Sequence, residues 1–183
     1  MLKAIAVIVV IVIVLVAAIA AYAATRPDTF RVQRSTTVNA PADKIFPLIN
    51  DFHNWTAWSP YEKRDPALKR TYSGAQSGKG AVYAWEGNSN VGAGCMEIMD
   101  APSPSAVVIK LDFIRPFEGH NVAEFTMEPQ GGSNAPAATN VTWAMHGPAP
   151  FITKVMGIFL NMDTMIGKDF EAGLSNIKAL AEK

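Results

Sequence analysis

An apolar run near the start of the chain restricts its folding more than any other feature. No charged residue lies between Lys3 and Arg26, and the residues from Ala4 to Ala24 are rich in Val, Ile and Ala. At about 1.5 Å of rise per residue, a helix over this run is about 30 Å long, the thickness of a bilayer's hydrocarbon core. Because a surface helix of a soluble domain keeps one polar face, a run that is apolar on every side predicts a membrane-spanning helix.

Two interpretations of this run are open, an uncleaved anchor and a cleaved secretory signal. The segment Ala21-Tyr22-Ala23 resembles the small-x-small pattern of a cleavage site. The uninterrupted stretch from Ala4 to Ala20 is longer than the roughly 7–15 residues of a signal's apolar region, which favours the anchor. Either interpretation brings the rest of the chain to a membrane or across it.

Charge gives little information about the orientation of the domain. Lys3 precedes the run, whereas Arg26, Arg31 and Arg34 follow it, so the positive-inside rule gives a slightly contrary signal. The very short N-terminal flank and the signal-like start favour export. We therefore expect a single-pass membrane protein whose domain is extracytoplasmic.

The remaining chain has the size of one ordinary domain, and we divide it into a span at 4–24, a linker at 25–29 and a domain at 30–183. The formal net charge of the full chain is zero, which argues against a nucleic-acid partner, since such a surface needs a basic patch. Cys95 is the only cysteine, so an intrachain disulfide and a cysteine-based zinc site are excluded. We expect no metal and no cofactor, and the oligomeric state is not predicted.

Alternating apolar and polar residues predict an antiparallel sheet with one apolar face. The alternating segments, after a first strand-like segment at 30–38, are 82–86, 96–98, 107–113, 123–127 and 141–145. Turn-rich connections at 87–90, 101–104 and 130–134 predict that successive strands are neighbours in the sheet.

Helical spacing of apolar residues frames these strands on both sides. One helix is predicted at about 45–52, and a loop with two tryptophans follows it at 54–60. A stripe with three- and four-residue steps predicts one continuous helix from about Pro150 to Glu182, about 45 Å long. The apolar face of the sheet and the apolar stripe of this helix are expected to bury each other.

Five short motifs carry a family resemblance, at 40–46, 51–60, 83–88, 91–94 and 167–178. With the order of the elements, they resemble the START-like, helix-grip superfamily, also called SRPBCC, and within it the polyketide cyclase/dehydrase and lipid-transport group. The resemblance covers nearly all of residues 30–183. It implies an α+β fold in which a curved antiparallel sheet wraps around the long C-terminal helix and leaves an apolar cavity, here preceded by one transmembrane helix. The superfamily hosts transporters, cyclases, binding modules and chaperone activators, so the activity is less constrained than the fold.

The alternation, combined with the cavity that the resemblance implies, predicts a ligand-binding set. Its members are Tyr83, Trp85, Met96, Leu111, Phe113, Phe125, Trp143, Phe159, Met162 and Met165. Each of them taken singly is better explained as core packing, since ligand pockets are few in a protein. The methionines among them suit a surface that adapts to varied apolar partners.

No catalytic arrangement is visible, although polar residues that could orient a ligand are present. By type they are Arg34, Tyr61, Glu86, His120 and His146, and alternation places His146 on the outer face. General acid–base catalysis requires a geometry that the sequence does not specify, and we assign no catalytic residue.

Two glycine and tryptophan motifs are better explained by structure than by function. Gly92-Ala93-Gly94 lies between strands and not before a helix, so it predicts a bulge or a close approach of strands instead of a phosphate site. Trp55 and Trp58 are expected to close one end of the core, in preference to forming a lid or a membrane contact.

The leading hypothesis is a membrane-anchored, non-catalytic binding domain for a lipid or another hydrophobic small molecule. One alternative is a cyclase or dehydratase acting on a polyketide-like substrate, which requires a buried Asp, Glu, His, Arg or Tyr in the cavity. The other is an interaction module without a ligand, which predicts a filled core and an exposed apolar patch.

Overall fold

The computed structural model of this chain describes residues 2–130 and 137–183. The predicted turn at 130–134 therefore lies mostly outside the described residues. The helices are α1 (Leu2–Ala24), α2 (Ala42–Asn50), α3 (Trp55–Trp58), α4 (Phe151–Phe159) and α5 (Met162–Ala181). The strands are β1 (Thr29–Val38), β2 (Lys69–Gly74), β3 (Ala81–Glu86), β4 (Ala93–Asp100), β5 (Ala106–Arg115), β6 (Gly119–Gln130) and β7 (Ala138–Pro148).

Within the described residues, the strands form one antiparallel sheet in the order β1-β7-β6-β5-β4-β3-β2. Only β1 joins out of sequence, on the free edge of β7. Alternate residues of each strand point to one face, and the apolar set forms the buried inner face. The α+β helix-grip arrangement that the resemblance implies is therefore confirmed.

The inner face of the sheet is covered by α5 on the β1 side and by α2 and α3 over the middle strands. Trp55 and Trp58 are buried, and their indole nitrogens donate to the carbonyl oxygens of Ile49 and Leu48 at 2.9 and 2.7 Å. The tryptophan loop thus closes the core, as the sequence predicts, with its polar atoms satisfied.

The predicted single C-terminal helix is wrong in its first third. Leu160 and Asn161 leave the helical conformation, so α4 ends at Phe159 and α5 begins at Met162. The Asn161 side chain accepts a hydrogen bond from the Thr164 amide at 3.0 Å, which caps the new helix. The apolar spacing runs through this cap without interruption, and for that reason the spacing alone does not reveal the break.

The first helix, α1, is long enough and apolar enough to cross a membrane. It packs on α4, and the residues of α1 that are shielded from solvent are Ile19, Ala20 and Ala23, near its C-terminal end. The linker after α1 is tied to the start of α4, since the Ala149 amide donates to the Asp28 carbonyl oxygen at 2.7 Å.

Candidate functional site

The apolar interior between the sheet and α5, which we call the inner layer, contains most of the predicted ligand-binding residues. Six of its strand residues are buried, namely Tyr83, Trp85, Met96, Leu111, Phe125 and Trp143, and Phe113 is half-buried. Successive side chains of a strand point to opposite faces of the sheet, and these residues belong to the set that faces inward. The assigned positions of these seven strand residues are thus observed, while their contact with a ligand stays a prediction.

The helix residues of the predicted set lie elsewhere. Phe159, at the end of α4, is 68% exposed and Met165 is 56% exposed, so the expectation that they face the inner layer is wrong. The break at 160–161 turns α4 away from the sheet, and Met165 then occupies the outer side of α5. Met162, in the first turn of α5, is half-buried.

Stacked aromatic rings fill the centre of the inner layer. The ring of Trp143 stacks on Phe170 of α5 at a centroid distance of 4.0 Å and on Phe125 at 4.9 Å. Trp58 meets the edges of both Trp143 and Phe125, at 5.5 and 6.0 Å. These contacts hold α5 and the tryptophan loop against β6 and β7.

A glycine lets Trp85 lie flat on the sheet. Gly94 is opposite both Trp85 and Phe113, and a Cβ at residue 94 would collide with the Trp85 ring and with the backbone oxygen of Asp112. The register of β4 and β5 shifts between Ala93 and Gly94. The predicted bulge and close approach at this motif are both confirmed.

Four apolar side chains at the end of the sheet where α1 joins it are only half-buried. Half-buried apolar side chains from three elements form this rim, Phe30 of β1, Phe113 of β5 and Met162 and Ile166 of α5. We call these four residues the anchor-side rim, after the anchor that the sequence predicts at 4–24. Their position follows from the strand directions, since β1 begins, β5 ends and α5 begins at the same end of the sheet.

The two best-formed depressions of the described residues both lie outside the inner layer. One runs over the polar outer face of β1, β7 and β6, between residues such as Arg31, Glu124 and Asn140. The other lies between Arg26 and the segment 157–162. Neither depression reaches the centre of the inner layer, where the rings of Phe125, Trp143 and Phe170 stack on one another.

A buried carboxylate that the sequence did not single out lies beside the inner layer. Glu62 accepts hydrogen bonds from the Tyr83 hydroxyl and from Nε of Arg70, both at 2.6 Å. Burial, followed by this hydrogen bond, raises the pKa of Tyr83. Both carboxylate oxygens are occupied, so the group joins the turn after α3 to β2 and β3. No local motif marks Glu62, because its partners are brought to it only by the pairing of β2 with β3.

Ion pairs join α5 to β1 and to the segment that follows α3. Arg34 of β1 contacts Asp163 at 2.9 Å and Glu171 at 2.8 Å, and these hydrogen bonds raise its pKa. Arg64 pairs with Asp169 over the ring of Tyr61. Burial, with a smaller effect of the Asp169 charge, raises the pKa of the Tyr61 hydroxyl.

The other polar residues singled out by type lie on the outer face or at its turns. Glu86 pairs with Arg115 at 3.3 Å, and both side chains are largely exposed. Nδ1 of His120 is 2.8 Å from Oδ1 of Asp112 on the outside of the sheet. His146 lies 3.6 Å from Glu124, also on the outer face, as alternation predicts. None of the three reaches the inner layer.

One buried polar atom of the inner layer is unpaired within the described part of the chain. Nε1 of Trp143 has no hydrogen-bond partner there, although the residue is only 4% exposed. A buried donor without an acceptor costs about 1–3 kcal/mol, so a group that accepts from it would be favoured. Across 2–130 and 137–183, no group of three or more His, Cys, Asp or Glu side chains is arranged to hold a metal ion.

Comparison with protein families gives a match over residues 29–182 to the family described as polyketide cyclase / dehydrase and lipid transport. The match spans the whole sheet, α4 and α5, which is far more than half of the chain. The chain belongs to this family.

Solved structures resembling this member of the polyketide cyclase / dehydrase and lipid transport family support the fold. Ginseng major latex-like protein 151 from Panax ginseng has a TM-score of 0.60 at 14% identity, covering 86% of this chain and 100% of that one. The Zhui aromatase/cyclase from Streptomyces sp. R1128 has a TM-score of 0.57 at 14% identity, covering 84% and 94%. A protein from Thermobifida fusca has a TM-score of 0.58 at 19% identity, covering 81% and 90%.

No curated protein matches the sequence of this family member. At such low identities the structural likenesses establish the fold alone. Family membership supports a fold that binds hydrophobic ligands, and the chain's own residues must carry any finer assignment.

Proposed function

We propose that this chain is a membrane-anchored, non-catalytic binding domain for a lipid or another hydrophobic small molecule, with the domain on the extracytoplasmic side. The observation that carries the proposal is the position of the anchor-side rim, whose half-buried apolar side chains border the inner layer at the end of the sheet joined to α1. A ligand that enters there comes directly from the membrane.

Burial of apolar surface supplies the affinity in this proposal, at about 25 cal/mol per Å² before ordering costs. Because stacked rings occupy the centre of the inner layer, we expect a ligand to displace rim side chains, of which Met162 is the most adaptable. Nε1 of Trp143 supports the proposal as a buried donor that an oxygen of the ligand could accept from.

The state of Glu62 supports a non-catalytic role. Glu62 and Asp65 are the buried carboxylates of the described residues. Glu62 accepts from Tyr83 and Arg70, and Asp65 accepts from the backbone amides of Ala67 and Asn88. These hydrogen bonds hold the carboxylates in place and join them to the surrounding loops and strands. Glu62 is therefore assigned to stability.

Quenching of tryptophan emission by a brominated fatty acid tests the binding site. In the full chain in detergent, we expect saturable quenching that Trp85→Phe reduces, because Trp85 lies next to Phe113 of the rim at a centroid distance of 5.8 Å. Trp55→Phe is the matched control, since Trp55 lies under α2 and should leave the quenching of Trp85 intact. Absence of saturable quenching in the unaltered chain, with only the ligand-free mass in native mass spectrometry, would contradict ligand binding.

The mass of the mature chain tests the anchor. An uncleaved chain has a mass of 19.7 kDa. A mature chain that begins at Ala24, after the signal-like Ala21-Tyr22-Ala23, would contradict anchoring while leaving ligand binding open. Protease added to intact cells should digest the domain, and protection would contradict the assigned side.

The stacked rings at the centre of the inner layer favour a second candidate, an interaction module without a ligand. Exposed apolar side chains near the anchor, such as Phe117 and Phe159, are the kind of patch that this alternative requires. Saturable quenching in the experiment above would eliminate it, and a chain that stays free of ligand in the presence of added lipid would support it.

A further inference from the structure

Helix α4 carries an apolar surface that nothing within the described residues covers. Phe151, Ile152 and Phe159 are each more than half exposed, and no residue of α4 is buried. A nine-residue helix with such a surface is costly to leave in water, at about 25 cal/mol per Å² of apolar area. This surface therefore needs an apolar partner.

The charge on α4 is directed away from that surface. Its sequence contains no acidic residue, and its only charged residue is Lys154. The Lys154 side chain is only 9% exposed and reaches Asp28 of the linker, where the hydrogen bond holds the pKa of Asp28 below its usual value. With its single charge engaged, α4 presents an uncharged apolar face.

The contact between α4 and α1 places this face at a definite depth. The shielded residues of α1 run from Ile19 to Ala23, and Ile19 lies about 7 Å along the helix axis from Ala24. Amphipathic helices at a membrane surface sit about 5–10 Å into the boundary between headgroups and acyl chains. If α1 leaves the membrane near Ala24, the part of α1 that contacts α4 lies at the depth typical of such interfacial helices.

The exit of α1 bears the residues expected at a membrane–water interface. The Arg26 guanidinium lies over the ring of Tyr22, 5.0 Å from its centroid. Tyrosine and arginine at the end of a span are typical of the headgroup level. The segment 157–162 forms a depression with Arg26, so the end of α4 is at that same level.

A second exposed apolar element lies at the same end of the sheet. Ile114 at the end of β5 and Phe117 in the turn between β5 and β6 are 62% and 66% exposed. The last pair of β5 and β6 before this turn is Phe113 with Gly119. Thr29, at the start of β1, pairs with Pro148 at the same end of the sheet. At about 4.8 Å between strands, the turn is about 10–15 Å from the β1–β7 pair that leads to α1 and α4.

From these observations we infer that α4 and the β5–β6 turn form a docking surface for the lipid bilayer that α1 crosses. The inference rests on the proposed anchoring of α1. The domain then stands with the β1 start, the β5 end and the anchor-side rim against the leaflet, so the rim opens into lipid and not into water. The ligand class that reaches the inner layer from there is a membrane lipid.

Depth-dependent quenching on the full chain tests the docking surface. Single cysteines are introduced by Phe159→Cys and Phe117→Cys in a Cys95→Ser background and labelled with an environment-sensitive fluorophore. Met99→Cys is the matched control, because Met99 is an exposed apolar residue at the opposite end of the sheet. Val12→Cys, in the middle of α1, reports the anchor separately.

The chain is reconstituted into vesicles of phosphatidylcholine with a minority of phosphatidylglycerol that carry nitroxide-labelled lipids. We expect the labels at 159 and 117 to lose more than half of their emission to a nitroxide near the headgroup, and the label at 99 to lose none. All three native side chains are exposed, so folding of the variants is not in question.

Three outcomes would overturn the inference, and they are distinguishable. If 159 and 117 behave like 99 while the label at 12 is quenched by a deep nitroxide, the anchor stands and the docking surface does not exist. If the label at 12 is unquenched too, anchoring fails and the inference fails with it. If residue 159 is shielded without lipid and forms disulfide-linked dimers, the surface binds a second copy of this chain.

Discussion

Replacing Gly173 with alanine probes how rigidly α5 is seated on the aromatic layer. A Cβ at this position would lie 2.7 Å from Cζ3 of Trp143 and 3.3 Å from Cδ of Pro60. Trp143 cannot retreat freely, because Phe170 stacks on its ring at 4.0 Å and Phe125 at 4.9 Å. The methyl group must therefore push α5 away from the sheet or force the indole out of its preferred rotamer.

The expected cost follows from two opposing contributions. Inserting a methyl group into a well-packed core costs about 1–3 kcal/mol. Alanine within a helix is favoured over glycine by about 1 kcal/mol, which offsets part of the loss. The net expectation is that Gly173→Ala lowers the free energy of unfolding by about 1 kcal/mol, or Tm by about 2–4 °C in a chain of this size.

The same substitution at Gly167 is the matched control within α5. There the new methyl group would meet the guanidinium of Arg34, the far end of a flexible side chain that can swing toward solvent. The ion pairs of Arg34 with Asp163 and Glu171 are solvent-exposed on the carboxylate side and contribute little, so the gain in helix propensity is kept. We expect Gly167→Ala to leave Tm nearly unchanged or to raise it slightly.

Tryptophan emission of the full chain in detergent, followed on heating, measures both variants. All four tryptophans are buried, so their emission reports loss of the core. A Tm of Gly173→Ala that equals or exceeds that of Gly167→Ala would refute the reasoning, because it would mean that the Trp143 stack yields to a methyl group without cost.

Two further predictions concern groups that the fold brings together. Glu62→Ala should destabilise the chain by about 1–3 kcal/mol, because it leaves the buried Tyr83 hydroxyl without its acceptor and removes the partner of Arg70. Glu62→Gln should cost less, since its amide oxygen can still accept from Tyr83. Urea unfolding measures both variants, and equal losses would contradict the buried network. The hydrogen bond to Asp112 raises the pKa of His120, so NMR titration should give a value above 6.5 that Asp112→Asn lowers. The His120–Asp112 pair therefore stabilises the fold fully below the unfolded pKa of the histidine, and this contribution is lost as pH rises through its folded pKa. An unchanged His120 titration in Asp112→Asn would contradict the role of this pair.

Strand positions could be predicted where one face of the sheet is uniformly apolar. Tyr83, Phe125 and Trp143 were assigned to the inner face because alternate residues of a strand point to opposite sides. Strand β2 was missed, since Arg70 and Tyr72 are its inward residues and give no apolar alternation. The Arg70 charge is acceptable there only because Glu62 is placed beside it, which is a long-range consequence of the fold.

The C-terminal segment marks the limit of periodicity. Spacing of three and four residues continues through Leu160 and Asn161, yet the chain breaks there because the Asn161 side chain caps α5. Phe159 and Met165 consequently lie on exposed surfaces instead of the inner layer. The uninterrupted apolar stripe therefore does not ensure one continuous helix. Residues that were assigned to one binding site lie partly in the inner layer and partly on exposed surfaces.

By itself, the sequence determines the apolar helix at 4–24, the antiparallel sheet with one apolar face and the family, because these depend on local composition, alternation and short motifs. Only the tertiary structure decides that aromatic rings stack at the centre of the inner layer, that its half-buried rim lies beside α1 and that α4 packs on α1. Whether side chains fill or line an interior depends on how rings from distant segments, such as Trp58, Trp143 and Phe170, meet. Periodicity assigns a side chain to a face, whereas packing across that face sets what remains open.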